Sequence, residues 1–225
     1  MLQPSLHDRS SAIIRNLLKL DSLVLVRYLL GGAQAVRRRL ARGREQGIYD
    51  VLEHHTILEL KDTKGEVAVI KRHQKVRFLQ SYVAAITDHA WGDGKIFAEY
   101  NCSPGVPVDF YQDGSRHTVL ISLREAKSRG DILKFVVRRK IVGGFRKPDE
   151  SWETAICHRI RHLSISIVFP KERRCQKATV TQRSTSKTVA LGREHLRFLG
   201  DGRQTLTWEI GNPRLHDRYS LKWRW

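Results

Sequence analysis

A chain of 225 residues, 40% hydrophobic and 28% charged, is apolar enough to bury a core, which excludes an intrinsically disordered chain and fits one larger β domain or two small ones. Its 41 Lys and Arg against 23 Asp and Glu give a net charge of +18 and a pI near 10.3, a field that concentrates polyanions around the molecule. The partners this charge points to are nucleic acid, an acidic protein or an anionic membrane face, and no cofactor or metal is expected.

The charge is uneven. Net values are +6 over residues 1–47, −1 over 48–104, +5 over 105–170 and +8 over 171–225, so polyanion contact is expected at the two ends of the chain. The three cysteines, Cys102, Cys157 and Cys175, share no C-x-x-C spacing, and residues 1–10 do not read as a secretory signal. A disulfide framework is therefore not expected, and the reading is a reducing, cytoplasmic location.

In chain order, the first element is helical. From Ser10 or Ser11 the apolar residues Ile13, Ile14, Leu17, Leu18, Val24, Leu25, Leu29, Val36 and Leu40 fall near a helical period. Gly31 and Gly32 weaken the middle, which gives helices near 10–30 and 33–45 or one continuous rod. The apolar run 23–33 is interrupted by Arg27 and is too short to span a bilayer, so membrane contact without spanning is the most it predicts. Residues 11–44 are a candidate assembly segment for a homo-oligomer or a hetero-complex. Arg37, Arg38 and Arg39 follow as a basic cluster.

From about Ile48 the period changes to two and β-branched residues become frequent. Strands are predicted near 49–60, 66–72, 75–79, 83–87, 95–101, 106–110, 117–124, 132–141, 151–157, 161–169, 177–183, 187–190, 205–210 and 219–225. Turn chemistry such as Asp62-Thr-Lys-Gly65, Asp93-Gly94 and Asp201-Gly202 separates several of them. The pattern predicts a mostly β fold, an antiparallel β-sandwich over 48–225 behind a short helical segment over 1–47. A loop at 128–130 leaves two packed β modules open as an alternative. Residues 205–210 and 219–225 are expected to pair as a terminal hairpin that packs Trp208, Trp223 and Trp225 into the core.

Several constellations carry chemistry. Cys157, His158, His162 and Cys175 are metal-capable but lack paired zinc-site spacing, and the neighbouring cations Arg159 and Arg161 would repel a metal ion. Asp50 with Glu59-Leu60-Lys61 matches the acid plus E-x-K of a metal-dependent nuclease, a short match that alternating charge on a strand also produces. No P-loop, G-x-S-x-G or H-E-x-x-H occurs, so enzymatic activity is disfavoured and no catalytic residue is assigned. Asp88, His89, Trp91 and Asp93 compose a loop suited to ligand contact.

The cationic candidates are Arg138, Arg139 and Lys140, then Arg159 and Arg161, then Arg173 and Arg174, together with Arg37–Arg39. The stretch Lys71-Arg-His-Gln-Lys75 and Arg77 are further basic strand positions. The functional reading is a non-enzymatic basic module that binds a polyanion, either nucleic acid or nucleotide phosphate, or an acidic protein. The alternatives are an effector that engages a membrane or partner through its N-terminal helices, and a nuclease centred on Glu59 and Lys61.

Overall fold

The computed structural model describes residues 47–225, which form one compact unit. The helices expected over 10–45, the assembly segment 11–44 and the cluster Arg37–Arg39 lie outside the described residues. The described residues hold fourteen strands and one 3-10 turn joined by turns and loops, so the fold is mostly β. The strands are β1 (Tyr49–Leu60), β2 (Val67–Phe78), β3 (Val83–Ala90), β4 (Lys95–Ser103), β5 (Val106–Asp113), β6 (Arg116–Lys127) and β7 (Ile132–Val142). They continue with β8 (Asp149–Ala155), β9 (His162–Phe169), β10 (Lys177–Gln182), β11 (Lys187–Leu191), β12 (Leu196–Phe198), β13 (Gln204–Gly211) and β14 (Arg218–Arg224).

The strands divide into a seven-stranded sheet of order β12-β13-β9-β1-β2-β7-β4 and two smaller sheets, β11-β10-β14-β8 and β3-β6-β5. Period-two alternation orients the large sheet. Leu58 and Leu60 of β1, Ala68, Ile70, Val76 and Phe78 of β2, and Leu163, Ile165, Ile167 and Phe169 of β9 share its buried inner face. The smaller sheets cover different parts of that face. The four-stranded sheet packs over the β9–β13 end, where Trp223 and Trp225 meet Phe169 and Tyr219 meets Trp208. The three-stranded sheet packs over the β4 end, where Phe110 meets Phe97 and Tyr100. One continuous apolar core runs through all three sheets in a sandwich-like arrangement.

Several sequence expectations are corrected. The sandwich is not wholly antiparallel, because β1 and β9 pair in parallel. The segment read as two strands, 66–72 and 75–79, is one strand, because the polar pair His73-Gln74 continues the ladder with Gln74 bonded to His54. β13 and β14 do not form a hairpin: β13 pairs with β9 and β12 in the large sheet, and β14 with β10 and β8 in the four-stranded one. The tryptophans are nonetheless buried as expected, since each strand presents its apolar face to the common core. The loop at 128–130 does not separate two modules: β7, which follows it, inserts between β2 and β4 of a sheet begun on the N-terminal side.

Candidate functional site

Alternation along β2 and β7 splits each basic run between two faces. Lys71, Lys75 and Arg77 of β2 and Lys134, Arg138 and Lys140 of β7 share the outer face of the large sheet, while Arg72 and Arg139 point inward. The triplet Arg138-Arg139-Lys140 is therefore not one cluster, because its middle residue is buried. On the outer face the register sets Lys71 opposite Arg138 and Lys75 opposite Lys134. Glu53 pairs with Lys75 at 3.2 Å, and Glu99 with Lys140 at 3.0 Å and with Arg138 at 3.9 Å. Among the described residues no carboxylate lies within ion-pair distance of Lys71, Arg77 or Lys134.

The other cationic candidates are placed elsewhere. Arg159 and Arg161 flank Ile160, which bridges to Val51 at the start of β1. Arg173 stacks its guanidinium 3.8 Å from the centre of the Trp225 ring and donates to the Thr63 carbonyl at 2.7 Å. Arg174 lies 5.1 Å from the Phe198 ring. Arg159 and Arg161 are exposed, Arg173 and Arg174 lie against aromatic rings, and none of the four is on the β2 or β7 strand.

A cavity of about 630 Å³ opens over the centre of the inner face. Its floor is made by β1, β2 and β7, and its sides by β3 and β8, the facing edge strands of the two smaller sheets. It exists because those sheets cover the two ends of the large sheet and leave its middle strands unroofed. The sequence marks this place: the apolar alternation of the inner face is broken by His54 and Thr56 on β1, Arg72 and Gln74 on β2, and Arg139 on β7. The register brings His54 opposite Gln74, Thr56 opposite Arg72, and Ile70 opposite Arg139, so the interruptions line up across neighbouring strands.

Arg72 donates Nη1 to Oδ1 of Asp88 at 2.6 Å, and the Tyr100 hydroxyl donates to the other oxygen at 3.0 Å. Burial would push the Asp88 carboxyl up, but Arg72, Arg139 and these hydrogen bonds hold it below its ordinary value. The Gln74 amide donates to His54 Nδ1 at 2.9 Å, which leaves the ring proton on Nε2 to donate to Thr56 at 2.9 Å. Burial, reinforced by Arg72, lowers His54 to about 3, so its ring is neutral. His89 bonds Thr118 at 3.0 Å and is lowered to about 4 by burial and by Arg116. Arg139 is 6% exposed, with its guanidinium carbon 5.7 Å from the centres of both the Phe97 and Trp152 rings. Its Nε and Nη1 have no acceptor among the described residues.

The four residues expected in a ligand loop, Asp88, His89, Trp91 and Asp93, all line this cavity. Asp88 and His89 lie on β3, not in a loop, since the ladder with β6 runs on to Ala90 opposite His117. Trp91 is exposed at the rim and does not cap the core. The metal-capable group is dispersed: His158 stacks on Tyr49 at 4.2 Å, His162 sits 5.6 Å from His55, and Cys175 is buried against the Lys177 carbonyl. All three cysteines are free thiols, and no group of three or more His, Cys, Asp or Glu among the described residues is placed to hold a metal ion. The Glu59 carboxylate is taken up by Lys61 at 2.7 Å and by Arg203. Asp50 lies nine residues away on the same strand, roughly 30 Å along it, too far to share an ion with Glu59.

No family model matches the chain, and no curated protein matches it. Among solved structures it is similar to an M1 zinc metallopeptidase from Deinococcus radiodurans, with 10% identity over 78% of this chain and a TM-score of 0.45. A two-domain M1 zinc metallopeptidase bound to L-tryptophan gives 9% identity over 78% of this chain and a TM-score of 0.47. The chain spans 42% and 43% of the length of these two proteins. Likeness at this level bears on neither the activity nor the ligands of this chain. No helix among the described residues is long and apolar enough to cross a membrane.

Proposed function

We propose that the chain is a non-enzymatic binding module whose outer β2–β7 face contacts the phosphate backbone of a nucleic acid. The observation that carries this reading is the opposition of like charges, Lys71 with Arg138 and Lys75 with Lys134, on neighbouring strands. Directly opposed like charges destabilise a sheet, so their repetition on adjacent strands fits selection for a partner's anions rather than for the fold. The outer positions of both strands hold His73 but no Phe, Tyr or Trp, which leaves little of the stacking platform that base-reading or single-strand binding uses. Contact is therefore with phosphates, without sequence readout.

The test is fluorescence anisotropy with labelled single-stranded and duplex oligonucleotides between about 50 and 200 mM salt. Affinity falls steeply with salt and differs little between sequences. Replacing Lys71, Lys134 and Arg138 together by Ser lowers the salt dependence by up to about three charges. Unchanged binding in that triple variant overturns the reading. Salt-dependent binding of poly-glutamate without binding of either oligonucleotide would transfer the face to an acidic protein partner.

A further inference from the structure

The cavity on the opposite side of the same strands carries a second and independent inference. At the buried floor of the cavity two guanidiniums, Arg72 and Arg139, face one carboxylate, Asp88, with the nearby His54 and His89 rings neutral, so one positive charge is left uncompensated there, apart from Arg116, which also lines the cavity. The carboxylates on the cavity rim do not supply the missing anion. Asp93 is paired with Lys147 at 3.1 Å, Asp149 with Arg224 at 2.6 Å and Glu153 with Arg218 at 3.3 Å, and Glu150, which accepts the Lys147 backbone N–H at 2.6 Å, is not within ion-pair distance of Arg139.

The surplus resides on Arg139. Arg72 spends its strongest contact on Asp88, whereas Arg139 is buried between two aromatic rings with two donor nitrogens that find no acceptor. Burying a guanidinium without a partner is costly, and a hydrophobic side chain of similar size would remove that cost. The His54–Thr56–Gln74 chain satisfies itself and Arg72 keeps one unpartnered nitrogen, Nε, so Arg139, with two, has the most donors to offer on the cavity floor. The lining also holds apolar side chains, Ile70 and Ile141 on the floor and Ile96, Phe145, Trp91 and Trp152 elsewhere, among polar residues of β3 and β8.

The geometry points to a binding site for a small organic monoanion, a carboxylate joined to an apolar or ring-bearing body, with Arg139 holding the carboxylate and these apolar side chains holding the body. A single uncompensated charge matches one carboxylate, whereas a phosphate dianion would exceed it and meet Asp88. The guanidinium is a planar donor suited to carboxylate geometry, and its carbon lies 5.7 Å from the centres of both the Phe97 and Trp152 rings, within cation–π reach. At about 630 Å³ the cavity has the size of metabolite pockets, which run from about 300 to 1,000 Å³. None of the residues altered on the outer face takes part, so the two proposals fail separately.

The test is calorimetric titration of the purified chain with 3-phenylpropionate and octanoate. Neutral 3-phenylpropanamide and phenyl phosphate serve as comparisons. At least one acid binds, with a change in tryptophan fluorescence from Trp91 and Trp152, and 3-phenylpropionate binds at least about tenfold more tightly than the amide and more tightly than the phosphate. Arg139→Met loses acid binding by about tenfold or more while its Tm stays equal or rises, because the unsatisfied donors are gone. Three results overturn the proposal: equal binding of acid and amide, tighter binding of phenyl phosphate, or no binding of either acid up to about 10 mM. Acid binding that persists in Arg139→Met also overturns it. Should that variant fail to fold, the comparison of acid with amide on the unaltered chain decides.

Discussion

Lys71 on β2 and Arg138 on β7 stand directly opposite each other on the outer face of the seven-stranded sheet, two cations across one rung of the ladder. Glu99 lies 3.9 Å from Arg138 and Lys71 has no carboxylate near it, so the repulsion is only partly relieved. Lys71→Thr is expected to raise stability by about 0.5 kcal/mol in low salt, because it removes the like charge and adds a β-branched residue. The gain shrinks as salt screens the pair, and nucleic-acid affinity falls in the same variant. Urea unfolding at two ionic strengths checks the first effect and anisotropy the second.

Asp88, on the β3 side of the cavity, is held by Arg72 at 2.6 Å and Tyr100 at 3.0 Å. Asp88→Asn leaves two buried guanidiniums without a counter-charge and is expected to cost about 3–5 kcal/mol. Adding Arg72→Met to that variant recovers part of the loss, because the uncompensated charge is removed with it. A double-mutant cycle by chemical denaturation measures the coupling.

His54 sets a pH dependence. Its folded-state pKa is depressed to about 3 from an ordinary value of 6.5, mainly by burial, so the folded protein resists taking up the proton that the unfolded chain accepts. Stability is full above about 6.5 and falls as pH drops from there towards 3. His54→Gln keeps a polar contact to Thr56 and Gln74 but cannot titrate, so its unfolding midpoint falls less steeply over that range. Equal slopes for the two proteins would show that His54 does not carry the effect.

Trp225 is buried, its backbone N–H donates to the Pro148 carbonyl at 3.1 Å, and its Nε1 donates to the Lys147 carbonyl at 3.0 Å. Arg173 covers the ring from the other side. Trp225→Ala is expected to cost about 3–5 kcal/mol and Trp225→Phe about 1 kcal/mol, the latter chiefly the lost indole hydrogen bond. Thermal or urea unfolding of the two variants distinguishes packing from hydrogen bonding at this position.

Most strands were legible in the sequence because their signal is local. Leu163, Ile165 and Ile167 alternate with Ser164 and Ser166 on β9, and that alternation places them, and Phe169 in phase with them, inside. The three-residue strand Leu196–Phe198 gives no such pattern, and no strand is predicted there. Pairing was less legible, since β13 and β14 are neighbours in sequence but belong to different sheets, and no local signal records which strand a given edge will meet. The cavity left a trace that single-strand reading does not combine. His54, Thr56, Arg72, Gln74 and Arg139 each look like an isolated polar lapse on an apolar face, and only the register shows that they adjoin.

The sequence by itself determined the β class, the faces of most strands, the positive charge and the residues available to meet an anion. Those properties follow from composition and from a period of two, which act within a few residues. Tertiary structure alone decided that the face of β7 bearing Arg139 lines a cavity while the face bearing Arg138 meets solvent. It also placed β2, from a stretch of near-neutral net charge, beside β7 to make the basic face, because Asp88 is turned inward and Glu53 takes only Lys75. The physical reason is that charge is summed over surfaces in space, and which surfaces adjoin is set by the pairing of strands distant in sequence.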